Sequence, residues 1–587
     1  MSLLDALRSA GAIAALDHRF ARMLGRRADV DEVVLAAAAL AGAVGDRGHV
    51  CLELGAAEDV LGREHAARAA EGEDAAELPS LPAPAAWTFA LAAATEVVRT
   101  PKETRSTPLV LAGDSLYLDR TWGHQDALVA AIRTRLSGAP TVDTVALDAV
   151  LDRLYPPPAG RQELQRQATR RALTRWLTVV AGGPGTGKTA VVVRLLAAFS
   201  HLRAGEDPPR VLLTAPTGKA AARMSESIRE RLQSWIPADL QAGVTLEAST
   251  IHRALRISPK TGRPRFDAAR PLDVDLVVVD EASMVDLPLM ARLLAAVPPT
   301  ARLVLLGDPD QLVSVEKGAV LQELTTSPAT APAVITLTES WRFAGGIARL
   351  AAAINAGDTD EALAAFREEP DLTRLEVGAG ERSRALTSSL RDRVVTGYRA
   401  ALEERDPALA LAALRRFRVL CAHRRGAWGV HGIGPLVERW LRGAGLIPRS
   451  ETPWYPGRAI LVGRNDHQRR LYNGDVGVLR PDPARPSGPL LAWFESAEGP
   501  PRAFAPAGLP EHETVFATTV HKAQGSEYDE VLVVLPREAS PLLTRELLYT
   551  AVTRASQRVV VVGNTDRIAE AIATKTRRMS GLGAALR

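Results

Sequence analysis

The chain has 587 residues, a formal net charge of +4 and an isoelectric point near 9.2. That length suffices for three or four domains, and the charge allows a nucleic-acid partner without demanding one. Two cysteines, Cys51 and Cys421, exclude a disulfide scaffold or a zinc site and point to a reducing cytoplasm, while no apolar run reaches the roughly 18 residues of a membrane span.

No basic segment followed by an apolar one opens the chain, so neither a secretory leader nor a membrane role is expected. Residues 1–105 read as a mainly helical, alanine-rich domain without catalytic residues, expected to dock a partner. Leu3, Leu4 and Leu7, then Ile13 and Leu16, space as amphipathic turns, and Asp31 is placed to cap a helix through Val44. Residues 106–160 read as a hairpin and linker. Pro108 to Leu118 turns at Ala112-Gly-Asp114, and Tyr155-Pro-Pro-Pro-Ala-Gly160 separates the hairpin from the α/β region.

From Arg161 the pattern becomes α/β. In residues 161–334 a helix over Gln162 to Arg175 leads into strands from Leu177 and at Arg210–Thr214, Asp275–Val279 and Ala301–Leu306, each closing on polar residues. Strands alternating with helical runs predict a doubly wound parallel sheet with its site at the strand C-termini. Ile257 to Arg265, within an insertion of about 256–270, reads as a small hairpin with Thr261-Gly262 at its tip. Residues 335–587 form a second α/β unit with strands at Arg418–Cys421, Thr514–Thr518, Glu530–Leu535 and Arg558–Val562. Short alternating runs between Arg458 and Phe516, with Asn473-Gly474 and several prolines, predict a small β-barrel-like insertion, bounded at about 473–515.

The chemistry concentrates in a few stretches. Gly182, Gly183, Pro184, Gly185, Thr186, Gly187, Lys188 and Thr189 fit G-x-x-x-x-G-K-[ST] between an apolar strand and a helical run. Glycines let backbone N–H groups converge on an anion, Lys188 reaches the outer phosphates and the Thr189 hydroxyl suits Mg²⁺, so a nucleoside triphosphate is the expected ligand. Asp280 and Glu281 end an apolar strand in adjacent carboxylates, the first placed to hold Mg²⁺ and the second to orient or deprotonate water. Gln311 ends the next strand, where its amide can sense a γ-phosphate. Arg342 and Arg554, from the second unit, can stabilise charge on a transferring phosphoryl group. Only seven of the 72 basic residues are lysines, and Lys188, Lys219 and Lys522 fall inside motif-like stretches.

An ordered set of motifs carries a resemblance. It runs Gln165-Arg-Gln-Ala168, Gly182 to Thr189, Ala215 to Ser225, Thr250-Ile-His252, Asp280 to Met284 and Gly307 to Leu312. It continues with Ser340-Trp-Arg-Phe343, Tyr472 to Gly477, Thr519 to Glu527 and Tyr549 to Arg554. Over about residues 160–560 the chain resembles superfamily 1 helicases of the 5′→3′ group. Gly48 to Leu52, Leu109-Val-Leu111, Leu116 to Trp122 and the tail Arg577 to Leu582 resemble the RecD family, the α subunits of exodeoxyribonuclease V (RecBCD).

The resemblance implies two RecA-like (P-loop) motor domains, a helical N-terminal domain and an SH3-like insertion, with ATP and Mg²⁺ as ligands. Gln165 would read the adenine edge, Lys188 and Thr189 would bind phosphates and metal, and Asp280 the metal. Glu281 would be the catalytic base, Gln311 would couple phosphate state to DNA, Arg342 and Arg554 would be arginine fingers, and Glu527 would lie near the nucleotide. Single-stranded DNA would touch Thr217, Lys219, Thr250, His252, Thr519, His521 and Lys522. The implied activity is 5′→3′ unwinding of double-stranded DNA, in a heterotrimer with RecB-like and RecC-like subunits, during double-strand break repair and recombination. The 257–265 turn reads equally as a duplex-splitting pin or a plain surface turn. A stand-alone helicase and a regulatory nucleotide switch for a partner nuclease are the alternatives. No acidic cluster suggests that the chain itself cuts DNA.

Overall fold

The computed structural model describes every residue except 1, 71–75, 158–159, 204–206, 242–246, 315, 343–344, 377–380, 451, 467 and 497–498. Parts of the expected linker (158–159) and Phe343 therefore lie outside the described residues. The first helices, Leu3–Ser9, Ala15–Arg27 and Glu32–Asp46, form as read, and Asp31 caps the third by accepting from the Val33 N–H at 2.9 Å. The same region also contains strands. β1 (Leu52–Glu53), β2 (Val98–Arg99), β3 (Leu109–Ala112) and β4 (Ser115–Leu118) make a sheet in the order β1-β4-β3-β2. Two-residue strands carry no period to detect, so residues 1–105 read as helical alone. The β3–β4 hairpin turns where expected, on Gly113 at φ +64°, a conformation glycine adopts without a Cβ clash.

Residues 106–160 are not a linker. They hold the helices Asp119–Leu136 and Thr144–Leu154. Tyr155 is buried, its hydroxyl 2.7 Å from Thr169 Oγ1 and donating to the Gln165 carbonyl at 3.2 Å. The core of the first α/β unit therefore begins before Arg161.

That unit is built on β5 (Leu177–Gly182), β6 (Val211–Ala215), β7 (Ala248–Thr250), β8 (Leu276–Val279), β9 (Arg302–Gly307) and β10 (Val334–Leu337). Their order is β10-β5-β9-β8-β6-β7, with every pair parallel. Successive strand side chains point to opposite faces. Leu177, Val179, Val277, Val279, Leu303 and Leu305 join one core, and Val180, Leu276, Val278, Val304 and Leu306 the other. A parallel sheet covered on both sides reads as unbroken apolar runs, which is why these strands are legible in the sequence. On the second face lie Thr144–Leu154, Glu163–Thr174, Lys188–Leu202 and Gly218–Trp235.

On the first face lie Leu287–Ala296 and, packed on it, Asp119–Leu136 from the N-terminal region. Arg135 is buried in that contact and donates to the carbonyls of Ala301, Val297 and Pro298 at 2.7–2.9 Å. Desolvation lowers its pKa to about 10. The expected boundary at 334/335 falls inside β10, whose pairing with β5 places the end of the first unit after Leu337. The 257–265 segment is a tight exposed turn: the Gly262 N–H donates to Ser258 (2.8 Å) and the Ser258 N–H to Arg263 (3.0 Å). Among the described residues it forms no ladder of paired strands.

The second unit opens with β11 (Leu372–Leu375) and β12 (Phe417–Cys421). An antiparallel sheet comes next, of β13 (Ala459–Val462), β14 (Val476–Asp482), β15 (Arg485–Ser496), β16 (Gly499–Phe504) and β17 (His512–Thr514). Its order is β16-β15-β14-β13-β17; among the described residues the end strands do not pair with each other, so it is an open sheet, and it starts at 459, as the runs from Arg458 suggest, ahead of the 473 bound. Strands β18 (Ala517–Thr519), β19 (Tyr528–Val534) and β20 (Ala555–Val562) return to the unit's parallel sheet, ordered β11-β20-β19-β12-β18. The run expected as one strand, Thr514–Thr518, is divided. Thr514 pairs in the insertion and Ala517 in the parallel sheet, with Val515 and Phe516 buried at the change.

The tail then crosses the molecule. Glu546 of the second unit accepts from the Thr576 N–H and hydroxyl at 2.9 and 2.7 Å. Three residues on, Met579 accepts from the Val50 N–H at 2.8 Å and donates to His49 Nδ1 at 2.9 Å. Met579, Leu582 and Leu586 are buried in the core shared by the N-terminal region and the first unit. Among the described residues, no helix is long and apolar enough to cross a membrane.

Candidate nucleotide cleft and nucleic-acid face

The G-x-x-x-x-G-K-[ST] loop joins β5 to the helix Lys188–Leu202 and lies at the C-terminal edge of its sheet. Gly185 and Gly187 have φ of +78° and +91°, turning the chain so that backbone N–H groups face the helix start. Gly185 also permits a close approach, since a Cβ there would collide with the Arg342 side chain. Lys188 Nζ lies over this loop, donating to the carbonyls of Gly182 (2.5 Å) and Gly183 (2.8 Å). Thr189 sits beside it on the first helical turn.

Loop, carboxylates and arginines line one cavity of about 1000 Å³, together with Gln165, Gln311 and Glu527. Gln165 is buried and its Nε2 donates to the Thr186 carbonyl at 3.0 Å; its Oε1 is buried without a hydrogen-bond partner among the described residues. An incoming N–H or O–H donor, such as an amino group, would satisfy such an oxygen. Asp280 ends the β8 segment, and its pKa is raised to about 6, first by desolvation and then by the neighbouring Glu281 charge. Glu281 sits at φ +51°, a left-handed backbone that costs a non-glycine residue roughly 1–3 kcal/mol. Among the described residues no three His, Cys, Asp or Glu side chains gather as a metal site. Thr189, Asp280 and Glu281 offer few, oxygen-only donors, which fits Mg²⁺ shared with phosphates and water.

Arg342, expected from the second unit, lies instead on the connector after β10, pinned against the loop: the Trp341 N–H donates to Gly185 at 2.8 Å and the Ser340 hydroxyl to Pro184 at 3.3 Å. Arg342 pairs with Glu527 at 2.8 Å, and burial pulls its pKa down. Arg554 does come from the second unit. It is buried, its Nε donating to Thr550 at 3.1 Å and its Nη1 to Ser526 at 3.4 Å.

The residues that tie the units together lie within the sequence motifs, but sequence reasoning gives them no role. Asp308, buried after β9, accepts from Gln311 Nε2 at 2.9 Å and from the Tyr549 hydroxyl at 3.1 Å across the interface. Burial raises the pKa of both Asp308 and Tyr549. Beside them the Leu312 N–H donates to Thr550 (2.9 Å), and Gln524 donates to the Leu312 carbonyl (3.0 Å). All five belong to the ordered motif set; only their pairing is invisible in it.

The expected DNA-contacting residues divide. Thr217 and Thr250 stand just past and at the ends of the adjacent strands β6 and β7, and each caps the next helix, accepting from the Ala220 and Arg253 N–H at 3.2 Å. His252 is exposed just beyond. Thr519 ends β18, the edge strand of the other sheet, and accepts from the Lys522 N–H at 3.3 Å, while burial lowers the pKa of His521. Lys522 is exposed and paired with Glu513 at 2.5 Å. Lys219 is enclosed. Its ammonium is held between units by Ser526 Oγ at 2.7 Å and the Gly474 carbonyl at 3.4 Å, and desolvation lowers its pKa.

Family models match in three places: the AAA domain over residues 165–317, the UvrD-like helicase C-terminal domain over 514–562, and the N-terminal domain of RecBCD enzyme subunit RecD over 9–117. Two parallel sheets sharing one phosphate-loop cavity, with these matches, define a superfamily 1 helicase motor. RecBCD enzyme subunit RecD of Mycolicibacterium smegmatis is 43% identical over 87% of this chain and 88% of its own length. That of Mycobacterium tuberculosis is 40% identical over 99% and 96%. The chain belongs to the RecD family. It is also 33% identical to the ATP-dependent RecD2 DNA helicase of Deinococcus radiodurans, over 76% of this chain but 55% of that longer protein.

Proposed function

We propose that the chain is an ATP-dependent 5′→3′ DNA helicase and translocase. It acts as a motor subunit beside RecB-like and RecC-like partners in double-strand break repair and recombination, and is not itself the nuclease. The observation that carries the reading is the single cavity in which Lys188, Asp280, Glu281, Arg342 and Arg554 meet. The 5′→3′ polarity, the partners and a cytoplasmic setting rest on family membership.

Gln165 Oε1 accepts from the adenine amino group. The loop N–H groups and Lys188 take the phosphates, Lys188 exchanging its two carbonyl partners for phosphate oxygens. Thr189 and Asp280 would hold Mg²⁺, which would supply charge neutralisation at the phosphates. Glu281 receives the proton of the attacking water, and Arg342 and Arg554 stabilise charge on the departing phosphoryl group. Gln311 lies against Asp308, so a change in its phosphate contact alters a buried bond to Tyr549 of the other unit. Closing and reopening this interface shifts the relative position of the two strand edges that carry Thr217, Thr250, Thr519 and Lys522. Differential affinity for single-stranded DNA in the two states makes that shift a step. Lys219 joins the DNA-contacting set only when its Ser526 and Gly474 bonds open.

The test is DNA-stimulated ATP hydrolysis and strand separation by the purified chain, alone and with its co-purifying partners. Lys188→Ala is expected to abolish both activities while leaving the thermal melt unchanged. Persisting DNA-stimulated hydrolysis in that variant would end the proposal.

A further inference from the structure

The cavity extends past the nucleotide loop. Its volume, about 1000 Å³, lies at the upper end for a single small-ligand pocket. The extension is floored by one face of the helix Gly218–Trp235, where Arg223, Ser227 and Arg231 recur at every fourth residue. Residues so spaced stack in a row, with about 6 Å per step. At the near end Arg223 Nη1 donates to the Gly525 carbonyl, two residues before Glu527, the partner of Arg342. Two guanidiniums thus flank the 525–527 segment, one facing the loop and one facing the extension.

The cations of the cavity are compensated unequally, and Arg194 and Arg554 also lack an ion pair among the described residues. Arg342 has Glu527 and Arg415 has Glu495, but Arg223 and Arg231 form no ion pair among the described residues. Arg231 donates to Ser227 Oγ at 2.5 Å and stacks over the Trp235 ring at 5.2 Å. Both are half-buried, and desolvation presses the pKa of each down. A half-buried guanidinium satisfied by neutral oxygens gains from an arriving anion. Glu226 and Glu230 line the same space, so the affinity is low, as suits a ligand that must leave.

We propose that Arg223, Ser227 and Arg231 form a second anion subsite, the way-station through which inorganic phosphate leaves after cleavage. The inference rests on the nucleotide reading of the cleft. The triphosphate itself is held by the loop and Lys188, so the row, in the same cavity, is left to take the product.

The experiment compares cleavage with release. Quenched-flow measurement of ATP cleavage is set against the appearance of free phosphate in a fluorescent phosphate reporter, for the wild type, Arg231→Ala and Arg231→Glu. Loss of a charge-assisted contact is worth about tenfold, so the inhibition constant of added inorganic phosphate should rise by about that factor in Arg231→Ala. In Arg231→Glu, phosphate release should lag cleavage about tenfold more than in the wild type, with ATP affinity within about twofold. Unchanged phosphate inhibition and unchanged release in both variants would overturn the subsite. A wild type that cleaves no ATP would instead sink the nucleotide reading. Arg223→Lys, which keeps a donor for Gly525, serves as a second probe: a normal melt with weakened phosphate inhibition supports the row, and unchanged inhibition counts against it.

Discussion

At the scale of single residues, the cleft places opposed charges where phosphoryl transfer needs them, and each position has its own energetic signature. Arg554 reaches the cavity from the second unit while its guanidinium is braced by two carbonyls. Arg554→Ala should lower ATP turnover by about 10³ and leave nucleotide affinity within about threefold, read from steady-state kinetics and equilibrium binding. Affinity lost in step with turnover would make Arg554 a structural support. Tyr549 tests the link between units. Removing its hydroxyl leaves Asp308 with one side-chain donor, so Tyr549→Phe should cost about 1 kcal/mol and weaken the stimulation of hydrolysis by DNA. A variant with full stimulation would place the coupling elsewhere. The candidate residues are legible in the sequence because each belongs to a short pattern tied to phosphate chemistry. The link from Asp308 to Tyr549 is not, since a hydrogen bond between positions 241 residues apart leaves no local trace.

At the scale of elements, strand ends are fixed by electrostatics as well as by apolar burial. Arg210 precedes β6 and Asp275 precedes β8, and the pair joins the N-terminal edges of these neighbouring strands at 3.0 Å. The Arg210 guanidinium holds the Asp275 pKa down at about 2, below its ordinary value of 3.8. A carboxylate depressed on folding stabilises fully above its unfolded pKa, and that contribution is lost as pH falls from about 4 to about 2. Arg210 is half exposed, so screening keeps the effect small. Asp275→Asn should lower the melting temperature by about 2 °C at pH 7, with the gap closing in the acid window. A gap that persists at pH 2–3 would show that packing, not charge, is responsible. The long buried strands β5, β9, β19 and β20 can be read from their apolar runs. The short edge strands β7 and β11 cannot, since three or four residues outside an apolar run carry too little pattern.

At the scale of the whole molecule, the tail decides how the parts are joined. Residues 574–587 leave the second unit at Glu546 and end in the core beneath the first, so one segment spans the interface that the motor must flex. Met579 is fully buried with both backbone groups bonded to the N-terminal region. Met579→Ala should destabilise by about 2–4 kcal/mol and expose the first 120 residues to limited proteolysis, as measured by chemical denaturation and mass spectrometry of the fragments. A chain that keeps its stability and its protease resistance would show the tail to be dispensable. The N-terminal region also helps to cover the first sheet. Its helix Asp119–Leu136 lies on Leu287–Ala296 and buries Arg135.

What the amino-acid order settled by itself was local. Apolar runs ending in polar residues define parallel strands, and a glycine-rich turn before a helix defines a phosphate cradle, because both depend on neighbours within a few residues. What waited for the tertiary structure was every relation between distant segments. The change of sheet at Val515-Phe516, the placement of Arg342 on the connector, the withdrawal of Lys219 between units and the return of the tail to the N-terminal core are of this kind. Each depends on which surfaces bury one another, a choice set by the folded chain as a whole and encoded in no single stretch.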